Sequence, residues 1–174
     1  IRLHNEKLCF LDEHLTRLYD GAKSIDMKIG KSIEEMKREI ENVLNINEMK
    51  DGVHLRLIVS RGIKATPYQD PKVTISDPTI VIIPEYKESI SRDGLRLISV
   101  DIKRGTSETQ DPRINSLSKH NCIQACIAAT EAGGDEALML DHNGNVTTCN
   151  STNFFMIKDN EVWTSTGEYC LPGI

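Results

Sequence analysis

The sequence predicts an α/β or α+β protein in two parts, and three observations carry that reading. Apolar residues recur at helical spacing in some stretches and alternate at strand spacing in others, and the two patterns interleave along the chain. A charged stretch without periodicity over residues 85–93 separates two such regions. The 174 residues, 39% of them hydrophobic, suffice for one large domain or two small ones. The expected organisation is a small N-terminal α/β domain over 1–84, a linker over 85–93 and the first part of a larger β-rich domain over 94–174.

The elements follow in order. Asp12 is placed to cap a helix in which Leu15, Leu18, Ala22 and Ile25 form a stripe with Arg17 at its edge. Ser32-Ile33-Glu34-Glu35 has the form of a capping box, and Met36, Ile40, Val43 and Leu44 follow on one face. Val53, Leu55, Leu57 and Val59 alternate with His54, Arg56 and Ser60, which predicts a strand. The β-branched run over 79–83 predicts a buried strand, and 95–102 a further one. A polar segment rich in Thr, Ser, Glu and Gln leads to Pro112. Lys119 then heads a helix over 119–132, with Ile123 and Ile127 expected to face inward. Residues 136–141 and 146 onward read as a hairpin around Asn143-Gly144, and 154–157 with 162–164 as a second around Asp159-Asn160. Ile1-Arg2-Leu3-His4 reads as the middle of a strand and Leu171-Pro172-Gly173-Ile174 as the lead-in to another element. The chain is therefore expected to be incomplete at both ends.

Composition removes several function classes. A net charge of −5 with no basic run argues against nucleic acid as a partner. No apolar stretch approaches the roughly 20 residues that cross a bilayer. Five scattered cysteines, Cys9, Cys122, Cys126, Cys149 and Cys170, fit free thiols in a reducing compartment better than disulfides, so a cytoplasmic location is expected. Cys122 and Cys126 stand one helical turn apart without further ligands at metal spacing, and no metal is expected.

A lysine whose amine is activated by burial or neighbouring charge can condense with an aldehyde. A lone lysine is more often a solvated surface group. The setting of Lys119 is distinctive: Arg113-Ile114-Asn115-Ser116-Leu117-Ser118-Lys119-His120-Asn121, then Glu131-Ala132-Gly133-Gly134-Asp135-Glu136-Ala137-Leu138. Leu140-Asp141, Gly144, Val146-Thr147, Asn153-Phe154-Phe155 and Leu171-Pro172-Gly173-Ile174 follow, and His14-Leu15-Thr16-Arg17-Leu18 precedes them. In that order and spacing, over nearly the whole chain, these motifs resemble the class IV, fold-type IV aminotransferases that use pyridoxal 5'-phosphate. Branched-chain aminotransferases, D-amino-acid aminotransferases and aminodeoxychorismate lyases belong to that family.

The resemblance implies a two-domain fold, a homodimer, and transfer of an amino group between an amino acid and a 2-oxo acid. The favoured substrates are branched-chain or other aliphatic L-amino acids. It makes Lys119 the Schiff-base lysine and proton carrier. Arg17 matches the arginine that grips the cofactor phosphate, a role that suits a guanidinium fork, against the plain alternative of a helix-surface arginine. Leu171, Gly173 and Ile174 match the segment that lies against the ring and leads into the phosphate site, although a Pro-Gly turn is common in its own right. Arg56 can reach a substrate carboxylate or stand in solvent.

Thr148 departs from the family, which places a glutamate there to keep the pyridine nitrogen protonated. A threonine carries no charge, so a slow or altered enzyme, another acidic residue in that role, and a non-catalytic binding or regulatory relative all stay open. Aminodeoxychorismate lyase chemistry is a further alternative. Thr66 and Tyr68 stand where D-amino-acid relatives carry an arginine and a histidine, which argues against D-amino-acid activity.

Overall fold

A computed structural model describes residues 1–87 and 94–174. The chain divides into two units, Ile1–Ile90 with Ile174, and Ser91–Gly173.

The first unit is an antiparallel sheet covered by two helices. Strands β1 (Arg2–His4) and β2 (Lys7–Cys9) form a hairpin, helices α1 (Leu11–Ser24) and α2 (Ile33–Ile46) follow, and β3 (Val53–Ser60) and β4 (Thr79–Tyr86) complete the order β2-β1-β3-β4. The expected stripes supply the core: Leu15 and Ala22 from α1, Met36, Ile40 and Leu44 from α2, and Leu3, Val53 and Leu55 from the sheet are buried together. Ile25 falls past the end of α1 and is 49% exposed.

Helix α2 starts as the sequence predicts. Ser32 Oγ accepts from the Glu35 amide at 3.3 Å, and a Glu35 oxygen accepts from the Ser32 amide at 2.7 Å. Helix α1 does not start as predicted. Its N-cap is Phe10, in the left-handed region at φ 52°, without a side-chain cap bond. Asp12 lies inside the first turn, where its charge favours the helix dipole, and it accepts from Lys37 Nζ of α2 at 2.6 Å. An ion pair between helices has replaced the cap.

β3 and β4 pair over eight residues, from Val53 with Tyr86 to Ser60 with Thr79. The expected buried strand over 79–83 is an edge strand in this sheet. Ile80 and Ile82 pack on the core, while Val81 and Ile83 face outward and are exposed, because the helices cover one face only. Glu85 and Tyr86, read from sequence as the start of a linker, end β4. Residues 88–93 of that linker lie outside the described residues.

In the second unit, β5 (Leu97–Ser99) is shorter than the predicted 95–102 and runs parallel to β6 (Glu136–Leu140). A parallel pair needs a long crossover, and helix α3 (His120–Glu131) provides it. β7 (Val146–Cys149) returns antiparallel to β6 after a turn that Asp141 organises, its Oδ1 accepting from the Asn143 and Asn145 amides at 2.8 and 2.9 Å. β8 (Phe155–Lys158) and β9 (Glu161–Thr164) form the second predicted hairpin. Its Asp159-Asn160 turn has both residues at positive φ, 50° and 64°, as a type I′ turn requires.

The inward face of α3 differs from expectation. Ile123 and Ile127 are 57% and 52% exposed, and Cys122, Ala125 and Ala129 are buried instead against Ala137, Met139 and Val100. Small side chains let the helix lie close to the sheet, and Gly134 extends that approach. A methyl group there would overlap Ile98 Cγ1 and come within 3.2 Å of the Ala129 and Arg96 carbonyl oxygens. Gly134→Ala is expected to lower stability by about 1–3 kcal/mol through overpacking. Denaturant unfolding checks this; an unchanged midpoint would show that the contact relaxes freely.

No helix among the described residues is long and apolar enough to cross a membrane, and all five cysteines are free.

Candidate active site

Lys119 is the N-cap residue of α3, and its carbonyl accepts the first helical bond from the Ile123 amide at 2.9 Å. It is half-buried in the wall of a cavity of about 380 Å³, within the range of small-molecule sites. The polar segment before α3 forms part of that wall and is braced internally. Gln110 Nε2 donates to the Ser118 carbonyl at 3.3 Å, Ser118 Oγ donates back to Gln110 Oε1 at 3.2 Å, and Arg113 holds both oxygens of Asp111 at 2.9 and 2.8 Å. The Arg113 bonds keep the Asp111 carboxyl below its ordinary value.

One further wall residue, Arg104, was invisible to sequence reasoning, and a second, Cys122, is the buried free thiol that the sequence suggests. Arg104 is buried, and it donates from Nη1 to Cys122 Sγ at 2.8 Å and from Nε to the Tyr169 carbonyl at 3.2 Å. Cys122 is buried one turn into α3 from Lys119. Neither motif nor periodicity marks Arg104, which follows Ile102 and Lys103 in an irregular segment.

Thr148 is buried on β7, opposite Met139 of β6. Its hydroxyl donates to the Thr152 carbonyl at 2.8 Å, and that carbonyl also accepts the Cys149 amide at 3.1 Å. With its one proton committed, the hydroxyl can only accept a bond from a ligand. Behind it sits Glu136, a second residue that sequence reasoning passed over as part of a strand. Its buried carboxylate accepts from the Ser151 amide at 3.1 Å, the Ser151 hydroxyl at 2.7 Å and the Thr152 hydroxyl at 2.9 Å. Burial, and secondarily the Glu136 charge, raises the Cys149 thiol.

Near the end of the chain Leu171 is half-buried, Gly173 exposed and Ile174 44% exposed. The backbone at Gly173 comes close to Asn153, since a Cβ there would lie 2.6 Å from Asn153 Nδ2. Two of the sequence motifs therefore meet. Thr148, Leu171 and Gly173 share a unit with Lys119 without lining its cavity.

Arg17 and Arg56 belong to the first unit. Arg56 is an exposed residue of β3, paired across to Ile83. Arg17 is half-buried on α1, and burial pulls its guanidinium below the ordinary arginine value. Its Nη2 lies 3.5 Å from His14 Nδ1, so that nitrogen is the acceptor and the ring is neutral. Burial first, and then nearby positive charge that includes Arg17, lowers His14 from 6.5 to about 4.

The pH consequence has a definite sign. Between pH 6.5 and about 4 the unfolded chain binds a proton at His14 that the folded chain refuses, so stability falls as pH drops through that window and levels off below it. We expect His14→Gln to flatten this limb by roughly 1–2 kcal/mol, discounted for partial exposure. Urea unfolding at stepped pH measures it, and an unchanged slope in the variant would exclude the effect.

Comparison with known proteins gives these positions a family. The chain is 35% identical over 176 residues to the Arabidopsis thaliana branched-chain-amino-acid aminotransferase-like protein 2, covering all of this chain and 32% of that protein. A Methanocaldococcus jannaschii protein provisionally named a branched-chain-amino-acid aminotransferase is 35% identical over 161 residues, 91% of this chain and 54% of its own. A solved T.th. branched-chain amino acid aminotransferase with pyridoxamine 5'-phosphate superposes with a TM-score of 0.85 at 27% identity, covering 94% of this chain and 54% of that one. The chain thus spans a third to about a half of the proteins it matches. The family model described as amino-transferase class IV matches residues 1–174, and with that end-to-end match the chain belongs to the class IV aminotransferases.

Proposed function

We propose that the whole protein uses pyridoxal 5'-phosphate to move an amino group between an amino acid, of branched-chain or aliphatic L type, and a 2-oxo acid. The observation that carries this reading is Lys119: an amine half-buried at a helix start, in the wall of a cavity of small-molecule size, in a chain of this family. Pyridoxal phosphate supplies, when bound, an aldehyde and an electron-accepting ring. The chemistry of two side chains suits that group, the amine of Lys119 for the aldehyde and the guanidinium of Arg17 for the phosphate, while Thr148 brings no charge to the ring nitrogen. Lys119 would be the amine that holds the cofactor aldehyde and would serve as the proton carrier at the substrate α-carbon. Arg17 is read as one phosphate ligand, the main chain at Gly173 and Ile174 as another, and Leu171 as a contact of the ring. Thr148 accepts from the ring nitrogen when that nitrogen bears a proton, and Arg56 is read as a substrate-carboxylate ligand. The homodimer, the cytoplasmic location and the division at 85–93 belong to the same proposal.

Borohydride reduction of the full-length protein with pyridoxal phosphate, followed by peptide mapping, tests it. A label on Lys119 supports the assignment, and a label elsewhere or none removes it. The uncharged Thr148 favours a second reading, a cofactor-binding relative without transferase activity. That reading predicts the label without transfer of the amino group from leucine to 2-oxoglutarate.

A further inference from the structure

Arg104 is 8% exposed and ties together three stretches that lie far apart in the chain, all within the second unit. Its amide donates to the carbonyl of Leu140, the last residue of β6, at 2.9 Å. Its Nη1 donates to Cys122 Sγ in the first turn of α3 at 2.8 Å, and its Nε donates to the Tyr169 carbonyl at 3.2 Å. Two neighbouring contacts run the same way. Asn121 Nδ2 donates to the Lys103 carbonyl at 3.4 Å, and the Tyr169 ring meets His142 edge-on with centroids 5.4 Å apart. Both partners of the guanidinium are neutral, and among the described residues no carboxylate forms an ion pair with it. A charge buried in this way carries a desolvation cost that an apolar side chain of similar size avoids. Packing alone therefore does not account for an arginine here. What a methionine or leucine cannot supply is two directed N–H groups on one rigid plane, each aimed at a different segment. A lysine offers a point charge on a flexible stem and does not span both.

We propose that Arg104 is a positioning residue, which holds the first turn of α3, and with it Lys119, in fixed register with the segment that leads into Leu171. Lys119 is the N-cap residue of that turn, so a shift of the turn carries its amine along the cavity wall. Leu171 follows Tyr169 by two residues, so a shift of the Tyr169 carbonyl moves it in the same way. Arg104 acts through Cys122 and Tyr169 and needs no contact of its own with a ligand. The inference rests on the aminotransferase reading only for what the alignment serves, the placing of the Lys119 amine against a ring that Leu171 contacts.

Hydrogen exchange of the full-length, cofactor-free protein, read by peptide mass spectrometry, measures the coupling without any ligand. Arg104→Met is expected to speed exchange roughly tenfold over residues 119–126 and 166–171 together, through loss of the shared hydrogen bonds. The β8–β9 hairpin is expected to exchange as in wild type. No change, a change in only one of the two stretches, or an equal change in the hairpin would overturn the proposal. Cys122→Ala is expected to repeat the pattern of Arg104→Met, whereas Cys122→Ser keeps an acceptor and should stay near wild type. If serine and alanine behaved alike, the contact would be packing and the proposal would fail. These two variants decide the matter should Arg104→Met not fold. In the cofactor-loaded protein, Arg104→Met should still take the borohydride label on Lys119 but lose most of the visible circular dichroism of the bound cofactor. It should also lower kcat by roughly 10²-fold with KM little changed. Unchanged kcat and dichroism would leave Arg104 a structural group and overturn the positioning role. A wild-type protein that takes no label on Lys119 removes the aminotransferase reading and leaves the coupling, which exchange measures by itself.

Discussion

Lys119→Ala in the whole protein is expected to reduce amino transfer by roughly 10³-fold or more, with the fold intact. The loss has two parts. The variant has no amine to take the cofactor aldehyde, and nothing at that position to move a proton at the substrate carbon; positioned proton transfer alone is worth roughly 10²–10⁴-fold. Lys119→Arg should fare no better, because a guanidinium keeps the charge but does not act as a nucleophile or give up a proton at neutral pH. Stability is expected to change little. Lys119 contributes its backbone to the start of α3, which alanine retains, so a cost of about 1 kcal/mol is appropriate to a half-exposed helix end. Steady-state kcat/KM with leucine and 2-oxoglutarate, alongside thermal unfolding, separates the two effects. A variant that retains transfer within tenfold of wild type would put the chemistry on another residue.

How far the sequence reveals this site depends on what each residue answers to. Local rules were readable. The Ser32–Glu35 cap, the Met36-Ile40-Leu44 stripe and the two hairpins arise from side chains and backbone a few residues apart, and each lies where pattern places it. Lys119 stood out because motifs on both sides of it recur in order. What pattern could not show was set by contacts distant in sequence. Ile123 and Ile127 have the hydrophobicity of a core face, but α3 lies against the sheet through Cys122, Ala125 and Ala129 because close approach favours small groups. Asp12 has the chemistry of a cap and serves as an ion-pair partner 25 residues from Lys37, a choice no local rule makes. The burial of Arg104 depends on Cys122 and on a carbonyl 65 residues away. A charged residue in an irregular segment reads as solvated until such partners are known.

Glu136→Ala is expected to cost about 2–4 kcal/mol and to loosen Thr148, even though Glu136 lies outside the Lys119 cavity. The carboxylate is buried at the start of β6 and gathers three donors from the turn after β7. Truncation leaves those donors to find water and opens a space beside Cys149, so lost hydrogen bonds and lost packing add. The partial exposure of Ser151 and Thr152 keeps the figure below that of a fully enclosed carboxylate. The effect reaches Thr148 through one residue. Thr152 gives its hydroxyl to Glu136 and its carbonyl to Thr148, so the carboxylate fixes the orientation in which the Thr148 proton points away and its lone pairs remain available. Glu136→Gln separates the two contributions. It preserves volume and one acceptor oxygen but places an amide donor against a hydroxyl or N–H donor, so it should cost about 1 kcal/mol while still disturbing the turn. Urea unfolding gives the stability terms, and cofactor affinity of the full-length variants gives the link to Thr148. If Glu136→Ala lost stability but bound the cofactor as tightly as wild type, the carboxylate would act on the fold alone, and the Thr148 hydroxyl would need no support from it.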